Sequence, residues 1–162
     1  MNASDARLSG GCQCGAVRFS CAAPTRISIC HCRMCQKATG GVYGAFASVD
    51  TTALSWTRGA RKIFHSSNVA QRGFCADCGT PLTWEGDGEV AISIAAFDRP
   101  ADLKPQVQLE FHERIPWVHD LGALPARNNA DYPAVDAFMA SVVSLQHPDH
   151  DTDAWPPEER AG

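Results

Sequence analysis

The chain lacks a basic excess. Its 162 residues carry 14 Lys and Arg against 18 Asp and Glu, a formal net charge of −4. The charge needed to hold a phosphate backbone is therefore missing, and nucleic acid is not expected as a partner. A long apolar stretch at the start is missing too: residues 1–10 are polar, so neither a signal peptide nor a membrane span is expected there. The protein is accordingly expected to be cytoplasmic, with no membrane partner. No internal repeat and no interdomain linker breaks the sequence, and its length suits one domain. Composition excludes disorder over most of the chain, since apolar residues make up 44% and charged residues 20%.

What the chain does have is cysteine, eight in all. In a reducing cytosol that number points to metal ligation more than to disulfides. Secretion would turn the same residues into four bridges, but a pair as close as Cys12 and Cys14 makes a poor structural disulfide. Seven of the eight fall into three groups: Cys12 with Cys14, Cys30 with Cys32 and Cys35, and Cys75 with Cys78. The eighth, Cys21, ends an alternating stretch in which Val17 and Phe19 share its face, so it is expected to be a small buried apolar residue.

Seven thiols divide as four plus three. Tetrahedral zinc favours two short-spaced pairs, each delivered by one turn. Cys12 with Cys14 and Cys75 with Cys78 each sit beside a glycine, Gly15 and Gly79, and are expected to form a closed structural site. A competing arrangement has Cys75 and Cys78 closing the triplet's site and leaves Cys12 and Cys14 without a role. The triplet Cys30, Cys32 and Cys35 would hold a second zinc with one position open. Three thiolates make the bound metal a soft Lewis acid that welcomes a further thiol. His31 is a conceivable fourth ligand, but ligands flank it on both sides, so its ring is expected to project elsewhere.

Around these thiols the pattern is that of an all-β meander. Extended segments are expected over residues 16–21, 27–29, 43–49, 54–57, 63–65, 69–74, 81–84, 90–97 and 108–111, with 90–97 the most buried. Residues 115–118 are expected to form an edge strand, because Pro116 cannot donate to a central ladder. A short helical turn over 36–41 should stop at Gly40 and Gly41. Val135, Phe138, Met139, Val142 and Val143 fall at helical spacing after Asp131 and Pro133, which predicts a packed amphipathic helix. The remainder, from Gln146, is polar and proline-bearing, and His147 and His150 are read there as part of a flexible tail rather than as metal ligands.

Three stretches carry a family resemblance: Gly10-Gly11-Cys12-Gln13-Cys14-Gly15-Ala16-Val17-Arg18-Phe19, Cys30-His31-Cys32-Arg33-Met34-Cys35-Gln36-Lys37, and Arg72-Gly73-Phe74-Cys75-Ala76-Asp77-Cys78-Gly79-Thr80-Pro81-Leu82. They resemble the glutathione-dependent formaldehyde-activating enzymes, also called the centromere-protein-V-like family, over roughly residues 10–130. The resemblance implies a mainly β, Mss4-like fold of several small coiled antiparallel sheets held by zinc, here with a short C-terminal helix. The sequence as a whole is read as a flexible N-terminus over 1–9, a single zinc-binding domain over 10–145 that includes the C-terminal helix, and an irregular tail over 146–162, with the segment after Asp131 outside the resemblance. It places a structural zinc on Cys12, Cys14, Cys75 and Cys78 and a catalytic zinc on Cys30, Cys32 and Cys35.

The implied activity is that of a carbon–sulfur lyase of the S-(hydroxymethyl)glutathione synthase kind, which joins the glutathione thiol to formaldehyde. Partners would be glutathione or a similar small thiol and a small aldehyde, with the protein a monomer or homodimer. Lys37, Arg72 and Arg33 are the candidate anchors for glutathione carboxylates, since a guanidinium matches that planar group. The alternative is a non-catalytic, zinc-stapled module that binds thiols or a protein partner.

Overall fold

The computed structural model describes residues 7–128 and 131–154. In chain order the strands are β1 (Leu8–Gly11), β2 (Arg18–Cys21), β3 (Arg26–Cys30), β4 (Gly44–Val49), β5 (Leu54–Arg58), β6 (Lys62–His65), β7 (Ala70–Phe74), β8 (Pro81–Gly86), β9 (Glu89–Ser93) and β10 (Val107–Leu109). The helices are α1 (Arg33–Thr39) and α2 (Pro133–Ser141). A three-stranded sheet has the order β1-β2-β5, and a seven-stranded sheet the order β10-β3-β4-β9-β8-β7-β6. All pairings are antiparallel except β10 along β3. The expectation of a mainly β fold with a short C-terminal helix is met.

Alternation along the strands gives the large sheet two unlike faces. One face sends Ala47, Val49, Val90 and Ile92 against Phe19 and Cys21 of the small sheet, and these residues form the main core. Phe19 has no exposed surface and meets Phe97 and Trp56 edge to face, at centroid distances of 5.1 and 6.0 Å. The opposite face carries Phe46, Ala91 and Trp84, which pack with Cys30, Cys32 and Cys35. α1 lies over this second face, and the register explains how: Cys30 pairs with Gly44, and Phe46 with Ser93. A Cβ on Gly44 would stand 2.4 Å from Phe46 Cε2 and 3.2 Å from Cys35 Cβ, so only glycine lets the helix approach this closely.

Cys21 is fully buried as expected, and burial pushes its thiol up to about 11, which leaves it unreactive. Arg18, its neighbour on the outward-reading face, is buried as well, because its guanidinium takes both oxygens of Asp98 at 2.7 Å.

Several expectations need correction. Residues 116–123 form a 3-10 helix, not an edge strand: Pro116 occupies its first turn, and Val118 N–H donates to Ile115 O at 3.0 Å. The run 90–97 leaves extended structure at Ser93 and closes in a 3-10 turn, Ile94–Ala96. α1 begins three residues before the expected turn, at Arg33. Helix α2 forms but stops at Ser141, before Val142 and Val143, and its apolar side chains are exposed: Phe138 is 65% and Met139 54% exposed. Leu8 and Ser9, expected in a flexible N-terminus, belong to β1.

The segment 146–152 has no regular structure, yet it is not loose. His147 is buried, donates its backbone N–H to Gln13 O at 2.8 Å, and lies against Arg58 and Thr152. Asp151 reaches Arg18 at 2.6 Å.

Candidate metal centres

The first centre is built from two matching turns. Gly15 N–H donates to Cys12 O at 3.0 Å and Gly79 N–H to Cys75 O at 3.0 Å. Gly15 and Gly79 have φ of 78° and 77°, the left-handed region where a side chain is strained. Each glycine thus turns its chain back so that two sulfurs face the same point. Cys12 Sγ lies 3.5 Å from Cys14 Sγ, and Cys14 Sγ lies 3.7 Å from Cys75 Sγ. All four sulfurs, Cys78 included, fall within 4.8 Å of one another. Thiolates held at about 2.3 Å in a tetrahedron stand about 3.8 Å apart, so the four fit a zinc ion. This decides between the two pairings read from the sequence: Cys75 and Cys78 join Cys12 and Cys14, not the triplet.

Further donors point at these sulfurs. Val17 N–H lies 3.2 Å from Cys12 Sγ, and the Thr80 hydroxyl 3.1 Å from Cys78 Sγ. Burial works against ionisation of Cys78, but the hydrogen bonds from Thr80 outweigh it and bring that thiol down to about 6. Burial pushes Cys14 up. One low and one high thiol in a single cluster describe sulfurs that share protons until a cation replaces them.

The second centre is Cys30, Cys32 and Cys35, whose sulfurs also lie within 4.8 Å of one another. β3 delivers Cys30 at its last residue. Cys32 is the N-cap of α1, where its sulfur accepts Cys35 N–H at 3.3 Å. Cys35 follows one turn in, and Gly40, in the left-handed conformation, ends the helix. Among the described residues no fourth His, Cys, Asp or Glu joins this cluster.

His31 does not close the second centre. Its ring is 1% exposed, its Nε2 is 2.8 Å from Gln108 Oε1, and it packs edge to face on Tyr43 and Phe111. Gln108 was not singled out in the sequence, because it arrives from a strand 77 residues away with no local signal.

Arg72 is brought against the thiols. It is 8% exposed, and its Nη2 donates to Cys35 Sγ at 3.4 Å. The hydrogen bond with Cys30, together with this guanidinium, holds the Cys35 thiol down at about 5. Its Nε is buried and has no partner among the described residues. A cation so enclosed requires negative charge nearby, and the sulfurs supply it.

Lys37 and Arg72 both line a cavity of about 410 Å³ between α1 and the sheet face that carries the triplet. Arg33 does not line it. Its backbone N–H binds Glu113 Oε2 at 2.9 Å and its guanidinium binds Gln36 at 3.1 Å. Among the described residues His150 joins no metal-binding cluster.

Among solved structures, a crystal structure of a Rhodobacter sphaeroides protein is similar, with a TM-score of 0.52 at 22% identity over 62% of this chain and 98% of that one. The likeness concerns the fold. No curated protein matches the chain. The family pattern described as glutathione-dependent formaldehyde-activating enzyme matches residues 7–113, which span every cysteine of both centres. The chain belongs to the family of glutathione-dependent formaldehyde-activating enzymes.

Proposed function

We propose that the protein is a zinc-dependent enzyme of the carbon–sulfur lyase type, which joins glutathione or a similar small thiol to a small aldehyde at Cys30, Cys32 and Cys35. Cys12, Cys14, Cys75 and Cys78 then serve as the structural site within one domain over residues 10–145. The observation that carries this reading is the contrast between the clusters: four sulfurs close one, while the other stops at three, and Arg72, which donates to Cys35, also lines a cavity.

The chemistry that a zinc ion supplies at the three-thiol centre is a lowered pKa for a thiol arriving at the open position. The protein's own residues handle the rest. Three thiolates and an arriving fourth build up negative charge in a half-buried place, and Arg72 offsets it from its contact with Cys35. The thiol proton leaves to solvent, the thiolate sulfur forms a bond to the carbonyl carbon, and the π electron pair moves to oxygen. That oxygen then takes a proton from water, so atoms and charge balance. Lys37 is exposed and has no hydrogen bond or ion pair with another described residue, so its ammonium is free to hold a substrate carboxylate.

The test is the exchange rate between free glutathione and its hydroxymethyl adduct, followed by NMR at equilibrium with zinc-loaded protein. Acceleration over the uncatalysed rate, lost in Cys32→Ser, supports the enzyme. An unchanged rate overturns it.

A further inference from the structure

The two cysteine turns of the four-thiol centre are unequally supported. The second joins β7 to β8, and both strands have neighbours on either side in the large sheet. The first joins β1 to β2, and β1 stands at the edge of the small sheet. Its backbone therefore depends on contacts from outside that sheet, and they fall between its two ligands. Gln13 N–H donates to Thr80 Oγ1 at 3.0 Å, and Gln13 O accepts His147 N–H at 2.8 Å.

His147 belongs to a segment beyond residues 7–113, which match the family pattern. Arg58, the last residue of β5, joins that segment to the turn. Its Nη1 donates to Gly15 O at 3.1 Å and to His147 Nε2 at 3.2 Å, and its Nη2 donates to the carbonyl and hydroxyl oxygens of Thr152. A guanidinium only donates, so His147 Nε2 accepts and the ring hydrogen sits on Nδ1, 2.7 Å from Pro148 O. Asp151 Oδ1 accepts from Arg18 Nη2 at 2.6 Å. Arg18 follows Val17, whose N–H points at Cys12 Sγ. The segment thus grips the stretch 13–18 at Gln13, at Gly15 through Arg58, and at Arg18.

A thiolate-bound ion leaves when a sulfur swings away and a competing ligand takes its place. Cys12 and Cys75 are buried, and Cys14 can swing only if the backbone of Gln13 and Gly15 moves. Residues 147–152 are fastened there by a few polar contacts and not by a strand ladder, so they open locally at less cost than the sheets do.

We propose that residues 147–152 form a strap over the first cysteine turn, and that the strap must open before an ion leaves Cys12, Cys14, Cys75 and Cys78. The inference rests on the assignment of those four residues as the structural site and is independent of the chemistry at Cys30, Cys32 and Cys35.

The experiment reads metal release, not turnover. Zinc-loaded Cys32→Ser protein, which keeps the four-thiol ion alone, is mixed with excess 4-(2-pyridylazo)resorcinol and the coloured complex is followed in time. Ending that chain at Leu145 is expected to speed release at least roughly tenfold, the factor that corresponds to one lost hydrogen bond to a charged group. His147→Ala keeps the chain length, removes the acceptor between Arg58 and Thr152, and should give part of the same acceleration. Amide hydrogen exchange of the zinc-loaded shortened chain should rise at residues 13–17 and stay unchanged in β4, β8 and β9.

Release at the parent rate from both the shortened chain and His147→Ala would overturn the strap and leave the four-thiol centre standing. Acceleration accompanied by faster exchange throughout β4, β8 and β9 would overturn it as well, because the segment would then support the whole fold and not this turn. Cys32→Ser protein that holds no zinc would overturn the centre and the strap together.

Discussion

Single residues carry the clearest consequences. Cys32→Ser is expected to lower bound zinc from two ions to one per chain, measured by elemental analysis of reduced protein, while the fold persists. His31→Ala should leave both ions in place, since the ring binds Gln108 and not the cluster.

Asp98 is the sensitive carboxylate. Burial raises its pKa, but the hydrogen bonds and charge of Arg18 and the Ser9 hydroxyl outweigh burial, so the folded value lies below the unfolded one. Its stabilisation is therefore complete above the ordinary carboxylate range, near 3.9, and is lost as pH falls through the lowered folded value. Asp98→Ala strands a buried guanidinium and should cost about 3 kcal/mol in denaturant unfolding at neutral pH. That is the lower end of the range, because Asp151 still pairs with Arg18.

The thiol positions were legible in the sequence because metal ligation is written in residue type and short spacing. The role of Arg72 was not. Sequence made it one of three candidate anchors, and only the pairing of β7 in the large sheet brought it to Cys35 and left Arg33 outside the cavity.

Among elements, β2 and α2 are opposites. β2 places Phe19 where nothing can relax around it, and Phe19→Ala should cost about 3–5 kcal/mol, read from the denaturation midpoint at constant slope. α2 presents Phe138 and Met139 to solvent, so Phe138→Ser should change stability by less than about 0.5 kcal/mol. A larger loss would mean that the helix is packed after all. Helical spacing predicted α2 as far as Met139 but not Val142 and Val143, which follow its end at Ser141, and spacing reports a face and not a neighbour, so the expectation of packing failed. Pro116 misled in a related way. A missing N–H is compatible with an edge strand and equally with the first turn of a 3-10 helix, and the local bond to Ile115 decided for the helix.

At the scale of the whole molecule, the four-thiol centre ties residues 12–14 to residues 75–78 and so fastens the small sheet to the end of β7. Metal bound there stabilises the fold directly, and structural zinc sites supply about 10–16 kcal/mol in isolated zinc-finger peptides. Chelation should therefore proceed in two stages: ready loss of one ion with the fold kept, then loss of the second together with cooperative unfolding, followed by circular dichroism alongside metal release. Simultaneous loss of both ions would mean that the two centres are not distinct in role.

The sequence by itself determined that the chain is mainly β and that seven of its eight cysteines fall into two pairs and a triplet, because strand alternation and ligand spacing are local properties. Only the tertiary structure decided which pairs share a centre, that His31 faces Gln108, and that Arg72 meets Cys35 and lines a cavity with Lys37. These depend on contacts between strands far apart in the chain, which no local pattern encodes.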